Sequence, residues 1–222
     1  MINQRHNNFA HKPALIFMSI WNLFNRKTST GRFFQDDDQF NRLYSPHIRA
    51  LAGRHWTPVR IAKAAVDFLS KEDGKKILDI GSGVGKFCLC AAHFAPNCFY
   101  YGFEQRANLI EDAEKLKQKL GLNNVYFLNR NMTEIDFSDY HCFYFFNSFY
   151  EQLEPDIKID YAIEYSQELY NYYSDYLFEQ LASRPAGTKL CTYFARTSQV
   201  PSSYRMLNSL FDGNLKYWIK EE

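Results

Sequence analysis

A chain of 222 residues is long enough to bury a substantial core, and it suits one α/β domain with an extension. The chain has 26 Lys and Arg residues and 25 Asp and Glu residues, so no overall positive charge attracts nucleic acid or an anionic membrane. A local basic patch is compatible with this balance. The five cysteines form no Cys-x-x-Cys pair, which argues against a disulfide framework or a zinc site and favours a reduced, cytoplasmic protein without a metal.

The first thirty residues differ from the rest of the chain, and we expect residues 1–30 to form an extension ahead of a single domain at residues 31–222. An apolar run over residues 13–24 is too short to span a bilayer. Basic residues precede the run as in a signal peptide, but no small-x-small cleavage site follows before Arg26. We therefore expect a short amphipathic helix here, and we predict no transmembrane segment.

A partly helical lead-in is predicted from Gly31 to Gly53, where aromatic and arginine residues surround an acidic triplet at positions 36–38. The triplet lacks the ligand spacing of a calcium loop, so we expect a solvated face or a helix cap. Thr57 and Pro58 then have the character of the N-cap and first residue of a helix that would pack on a sheet. The residues before them, 54–56, either cover the ligand-binding end of that sheet or fix the helix entry.

The most informative stretch runs from Lys76 to Phe87, where an apolar strand passes through three alternating glycines into a helix. Glycines let the backbone approach a ligand closely, and the first turn of the helix presents unpaired N–H groups to it. A phosphate-binding P-loop is excluded because Ile80 and Phe87 occupy the positions that need Gly and Ser or Thr. A dinucleotide fingerprint is disfavoured because Lys86 stands where its third glycine should be, which argues against a nicotinamide oxidoreductase.

The remaining pattern, acidic-x-Gly-x-Gly-x-Gly, closely resembles the first motif of class I S-adenosylmethionine-dependent methyltransferases. The resemblance implies a doubly wound, mostly parallel sheet of about six to seven strands and S-adenosyl-L-methionine as cofactor. It also implies that the loop wraps the methionine part of that cofactor while Asp79 helps to position it. A glycine turn that binds nothing is the alternative. The loop residues implied in cofactor binding are Gly81, Ser82, Gly83 and Gly85.

A second acidic residue, Glu104, ends the next β-rich run, 25 residues after Asp79 (104 − 79). At the tip of a second parallel strand, its carboxylate is placed to accept hydrogen bonds from two ribose hydroxyls. The neighbouring Gln105 is also predicted to contact the cofactor. A plain strand-end carboxylate is the alternative. The amphipathic pattern from Arg106 to Leu120, followed by Gly121, predicts a helix that ends at a C′ glycine.

Two further strand ends complete the predicted site. After a strand at residues 124–128, the methyltransferase resemblance implies that Asn131 and Met132 hold the adenine, with Asn in place of the usual Asp. After an aromatic strand at residues 141–146, the tetrapeptide from Asn147 to Tyr150 resembles a degenerate Asn-Pro-Pro-Tyr motif of amino-group methyltransferases. Asn147 as a simple turn former is the alternative.

The C-terminal part is predicted to hold a long helix at residues 160–181, a strand at 188–194, a short helix opening at Pro201 and a last strand at 215–219. This gives six strands. The family's sheet normally has seven, the last two forming an antiparallel hairpin, so the far edge of the sheet is the least specified part of the prediction.

The methyltransferase resemblance implies methyl transfer to a nitrogen of a protein or small molecule by direct displacement, with no covalent nucleophile. The aromatic strand end fits a flipped base equally well. Asn147 would contact the cofactor and orient the acceptor, and Tyr150 together with Phe149 would wall the acceptor pocket. His55 or Glu151 would supply a base if one is needed. Two alternatives stay open on the same fold. One is an aminopropyltransferase, which requires paired acidic residues around its amine site, and the other is a non-catalytic binding or scaffold module.

Overall fold

The computed structural model describes residues 30–149, 152–153, 158–160 and 163–221. The predicted extension up to residue 29 and the predicted site residue Tyr150 lie outside the described residues, as does Glu151. The described residues form a seven-stranded, mostly parallel sheet flanked by helices, which confirms the predicted doubly wound α/β class.

The sheet has the strand order β3-β2-β1-β4-β5-β7-β6. The first five strands along the chain run parallel, and β7 pairs antiparallel with both β5 and β6. Because the order reverses between β1 and β4, the carboxyl ends of these two neighbours form the switch point at which doubly wound sheets bind ligands. The strands are β1 (Lys76–Ile80), β2 (Phe99–Glu104), β3 (Val125–Asn129), β4 (Cys142–Phe145), β5 (Lys189–Tyr193), β6 (Tyr204–Leu210) and β7 (Leu215–Lys220).

The helices include three short ones in the lead-in and four longer ones that pack on the sheet. Gly121, with φ of 68°, ends the helix after β2 in the left-handed conformation, as the sequence predicted. The helices are α1 (Asp37–Asn41), α2 (Pro46–Arg49), α3 (Ala52–His55), α4 (Val59–Leu69), α5 (Lys86–Phe94), α6 (Ala107–Leu120) and α7 (Gln167–Ala182).

The end of the chain corrects one prediction. A turn follows Pro201, whose carbonyl accepts a hydrogen bond from the Tyr204 amide, and the chain then enters β6 instead of a short helix. Side chains from Arg205 to Ser209 are exposed because β6 is an edge strand. An edge strand of this kind carries no apolar alternation, so its sequence did not predict a strand.

The start of α7 is a second correction. The sequence predicted a helix from Asp160, whereas α7 begins at Gln167. The Ser166 hydroxyl caps it by accepting a hydrogen bond from the Leu169 amide at 3.1 Å. Asp160 instead accepts a hydrogen bond from Arg106 Nε at 3.2 Å, which holds this residue against the end of β2.

Both faces of the central strands β1, β4 and β5 are buried. Alternate residues of β1 serve different layers: Ile77 packs with α4 and α5, whereas Leu78 and Ile80 pack with Phe143 and the face covered by α7. The five cysteines are free and buried. In the described ranges, no helix is long and apolar enough to cross a membrane.

Candidate active site

A cleft of about 820 Å³ opens at the carboxyl ends of the parallel strands. This volume suits a small-molecule ligand. Gly85 and Asn131, also predicted for the site, do not line the cleft, and their contacts are described below. The predicted site residues that line the cleft are Asp79, Gly81, Ser82, Gly83, Glu104, Gln105, Met132 and Asn147.

The glycine loop between β1 and α5 uses left-handed backbone at each of its glycines, with φ of 72° at Gly81, 53° at Gly83 and 76° at Gly85. A side chain at Gly83 would meet no atom within 4 Å, so this part of the loop faces open space in the cleft. At Gly85, in contrast, a Cβ atom would lie 2.4 Å from Cζ of Phe127. Gly83 therefore leaves room for a ligand, whereas Gly85 lets α5 pack closely against β3.

Asp79 lies at the floor of the cleft and is 4% exposed. Burial is the main cause that raises its carboxyl pKa to about 8; a hydrogen bond with Cys88 opposes this shift, and the nearby Glu104 charge adds to it. The thiol of Cys88 lies 3.5 Å from Oδ2, and no cation pairs with Asp79 in the described part of the chain. Asp79 is therefore mostly protonated at neutral pH in the ligand-free protein.

Glu104 ends β2 in the predicted position and is held by Arg106. The backbone amide and Nη1 of Arg106 lie 3.0 Å and 3.2 Å from Glu104 Oε1. Both side chains are buried, with 2% of Arg106 and 8% of Glu104 exposed. Oε2 of Glu104 makes no hydrogen bond within the described ranges, so one oxygen is fixed and the other can accept from a ligand.

Arg106 also connects this carboxylate to the chain after β4. Its Nη2 donates to the hydroxyl of Tyr165 at 2.7 Å, and its Nε contacts Asp160. The sequence prediction missed this residue, because its partners in the later segment lie 54 and 59 positions away in the chain.

Asn131 organises the neighbouring wall. Its amide nitrogen donates to Gln105 Oε1 at 3.1 Å and to the Tyr173 hydroxyl at 2.7 Å. Its carbonyl oxygen accepts from the amide and the hydroxyl of Thr133, both at 3.0 Å. Asn131 therefore positions Gln105 and Tyr173, which line the cleft, while Met132 lines it directly.

Asn147 follows β4 with a φ of 35°, an uncommon backbone conformation for a residue other than glycine. The next residue, Ser148, donates its hydroxyl to the Ile80 carbonyl at 2.6 Å and so ties this loop to the end of β1. A Cβ atom at Gly81 would lie 2.6 Å from Cβ of Ser148, so the close approach of the two loops requires glycine there. Together these contacts place Asn147 beside the glycine loop.

Comparison with known proteins identifies the fold and the domain. Residues 71–163 match a family described as "Methyltransferase domain". An RNA methyltransferase from Salinibacter ruber, solved with S-adenosyl-L-homocysteine, superposes with a TM-score of 0.53 at 21% identity, over 75% of this chain and 94% of that one. Magnesium protoporphyrin IX methyltransferase from Synechocystis PCC 6803, solved with S-adenosylmethionine, superposes with a TM-score of 0.55 at 13% identity, over 88% of this chain and 97% of that one. Residues 71–163 therefore match a methyltransferase domain, and the chain shares the fold of class I methyltransferases.

A curated relative of this methyltransferase domain is the tRNA (guanine-N(7)-)-methyltransferase of Synechococcus sp. (strain JA-3-3Ab), which is 46% identical over 55 residues. The match covers 25% of this chain and 23% of the relative, so it spans about a quarter of the curated protein's length. At identities of 21% and below, the two solved structures show a shared fold.

The lead-in of the methyltransferase domain closes one side of the cleft. The hydroxyl of Tyr44 donates to the Val84 carbonyl in the glycine loop at 2.8 Å. Lys86 Nζ, at the start of α5, contacts Asp37 Oδ1 at 2.6 Å and Asn41 Oδ1 at 2.8 Å. The sequence prediction used Lys86 only to exclude a dinucleotide site, and no local pattern indicated partners 49 and 45 residues earlier.

His55, nominated as a possible base, also lines the cleft. Burial lowers its imidazole pKa, and the positive charges of Arg106 and Arg54 lower it further. The ring is therefore neutral at pH 7 and able to accept a proton.

Proposed function

We propose that this domain binds S-adenosylmethionine in the cleft and transfers its methyl group to a nitrogen atom of an acceptor. The observation that carries the proposal is the set of acceptor oxygens around an open glycine loop: the Asp79 carboxyl, which has no cationic partner in the described chain, and Glu104 Oε2. When bound, the sulfonium centre supplies an electrophilic methyl carbon, so the protein needs no covalent nucleophile.

The residues present fit such a cofactor. The backbone around Gly83 leaves space for the methionine part, and the buried Asp79 suits a positively charged group of the ligand. Glu104 Oε2 is available for a ribose hydroxyl. Met132, 2% exposed, and Gln105 would flank the adenine, while Asn131 would act by holding Gln105 in place.

Asn147 is the residue we assign to acceptor orientation, because its amide can donate to and accept from a nitrogen-bearing group. An acceptor with a free lone pair needs no base, whereas an amine that loses a proton on methylation could pass it to neutral His55. The acceptor classes expected from the sequence were a protein or a small molecule, with a flipped base left open. The curated relative is named for a tRNA guanine, and this adds RNA as an acceptor class. A cytoplasmic location is part of the same proposal.

The acceptor class can be tested by incubating the full chain with methyl-labelled S-adenosylmethionine and total tRNA, total protein or a mixture of amines. We expect label in one nitrogen-containing pool and at least a tenfold lower kcat for Asn147→Ala, with unchanged affinity for S-adenosylhomocysteine. Asn171→Ala, on the exposed face of α7, is the matched control and should behave like the wild type. Cofactor binding without label in any pool would contradict transfer and favour a binding module.

Cofactor binding should release protons at neutral pH, because a cationic ligand beside Asp79 lowers the pKa of a carboxyl that stands at about 8 in the free protein. Calorimetric titration with S-adenosylhomocysteine in buffers of different ionisation enthalpy should report the release of most of one proton at pH 7. Release should fade above pH 9, where Asp79 is already ionised, and should be absent in Asp79→Asn. Equal release by this variant and the wild type would assign the proton to another group.

A further inference from the structure

Two residues with strained backbone lie side by side on the lining of the cleft. Asn147 has a φ of 35° and Phe194 a φ of 52°. In the described part of the chain, the other non-glycine residues with positive φ are Phe211 and Asp212, which form the tight turn between β6 and β7. No such turn accounts for the cleft pair, and strain of this kind concentrates at functional sites.

The register of the sheet explains why the two residues are neighbours. Phe145 in β4 pairs with Thr192 in β5, and the strands run parallel. Asn147 and Phe194 each stand two positions beyond this pair, at the same edge of the sheet. Adjacent strands are about 4.8 Å apart, so the predicted acceptor-orienting amide and the Phe194 ring border the same space.

Phe194 is the exposed member of an aromatic group. Its ring centroid lies 4.5 Å from that of Tyr193 and 6.2 Å from that of Phe146, and these two lie 4.8 Å apart. The side chain of Phe194 is 51% exposed, although all three residues line the cleft. Its backbone amide donates to the Asn214 carbonyl at 3.0 Å, so the residue before β7 fixes the backbone from which this ring projects.

The charges around this ring favour an anionic partner over an amine. Arg196, two residues after Phe194, is exposed and lines the cleft. The carboxylates among the described lining residues lie elsewhere: Asp37 pairs with Lys86, Glu104 pairs with Arg106, and Asp79 lies on the floor beside Cys88. A lysine or polyamine acceptor would need free carboxylates near the aromatic group, and none of the described lining residues supplies one there.

We propose that Phe194 and Arg196 form a nucleobase platform, on which the acceptor base stacks against Phe194, directs its edge to Asn147 and places its phosphate near Arg196. This inference rests on the proposed methyl transfer and names its substrate class. Stacking on an aromatic ring is tolerant of sequence, and a single arginine contact accounts for recognition without a strongly basic protein.

The platform can be tested with 2-aminopurine as a fluorescent base, presented as the riboside, as the 5′-monophosphate and within a ten-nucleotide RNA, in the presence of saturating S-adenosylhomocysteine. Stacking on Phe194 should quench the fluorescence. Phe194→Gly relieves the left-handed backbone and removes the ring, and it should weaken binding of all three probes by about tenfold or more. Phe194→Tyr should retain binding. Phe99→Ala is the matched control, because Phe99 is an exposed aromatic residue at the start of β2, at the edge of the sheet away from the cleft.

Arg196→Ala tests whether Arg196 contacts the phosphate, and the comparison of probes then distinguishes a free nucleotide from a polynucleotide as the acceptor. It should weaken the monophosphate and the RNA but leave the riboside unchanged, and it should lower the salt dependence of RNA binding by about one unit of slope. Tighter binding of the RNA than of the monophosphate identifies a polynucleotide acceptor, and equal binding identifies a free nucleotide. Equal affinities of Phe194→Gly and wild type, or no quenching by any probe while S-adenosylhomocysteine binds, would overturn the platform and leave the proposed methyl transfer standing. Failure of S-adenosylhomocysteine itself to bind would overturn both.

Discussion

Replacing Arg106 by methionine should lower the free energy of unfolding by about 3–5 kcal/mol at pH 7, measured by urea denaturation. The side chain of Arg106 is 2% exposed and pairs with Glu104, which is similarly shielded from water, so the substitution leaves a buried carboxylate without its cation. It also removes the hydrogen bonds to Asp160 and Tyr165 and so frees the segment after β4.

Lys115→Met is the matched control, because Lys115 forms an exposed pair with Glu111 on α6 at 3.8 Å. Its effect should stay below about 0.5 kcal/mol. Combining Arg106→Met with Glu104→Leu should restore a large part of the lost stability, since the buried carboxylate is then gone and the remaining Asp160 is 31% exposed and so partly hydrated. A loss of less than about 1 kcal/mol in the single variant would mean that water reaches Glu104 and that the pair is not buried.

Gly85→Ala should destabilise the protein by about 2–5 kcal/mol, the sum of a left-handed backbone penalty and overpacking. A Cβ atom at this position would lie 2.4 Å from Cζ and 2.5 Å from Cε1 of Phe127, and 3.0 Å from Cβ of Ala113. Phe127, in β3, would have to turn its ring away from its packed position, and Ala113, in α6, has no longer side chain that could move aside.

Substitutions at two other glycines distinguish the cost of the left-handed backbone from the cost of overpacking. Gly74 has a φ of 75°, and a Cβ atom added there would meet no atom within 4 Å, so Gly74→Ala should cost only the backbone penalty of about 1–2 kcal/mol. Gly83→Ala should cost the same in stability but also weaken S-adenosylhomocysteine binding, because its methyl would enter the cleft. Equal losses for Gly85→Ala and Gly74→Ala in thermal and urea unfolding would contradict the packing role of Gly85.

Much of the parallel sheet could be predicted from the sequence because buried strands carry continuous apolar runs that end in polar residues. The strands that end near Asp79 and Glu104 are of this kind, and α6 shows a regular apolar stripe closed by Gly121. The edge strand β6 could not be recognised, since its side chains face solvent and its sequence is not selected for alternation. The start of α7 depends on the Ser166 cap. Local helix propensity did not distinguish this start from an earlier one at Asp160, because acidic residues also favour a helix N-terminus.

The candidate site could also be predicted only in part. Strand ends such as Asp79, Glu104 and Asn147 could be located because topology brings the carboxyl ends of parallel strands together. The residues that hold these side chains in place could not be predicted. Arg106 joins Glu104 to a segment more than fifty residues later, and Lys86 joins the glycine loop to the lead-in. Such contacts depend on three-dimensional packing and leave no periodic signal in the chain.

The most direct test of the proposed cofactor site is calorimetric titration of the full chain with S-adenosylhomocysteine, beside NAD as a control ligand and Glu104→Gln as the site variant. Glutamine keeps the shape of Glu104 and an acceptor for Arg106, so the variant should fold while losing the charged acceptor for ribose. We predict saturable binding in the micromolar range for the wild type, corresponding to about −8 kcal/mol, at least tenfold weaker binding for Glu104→Gln and no binding of NAD. No heat with S-adenosylhomocysteine, or equal affinity of the variant and the wild type, would contradict the site.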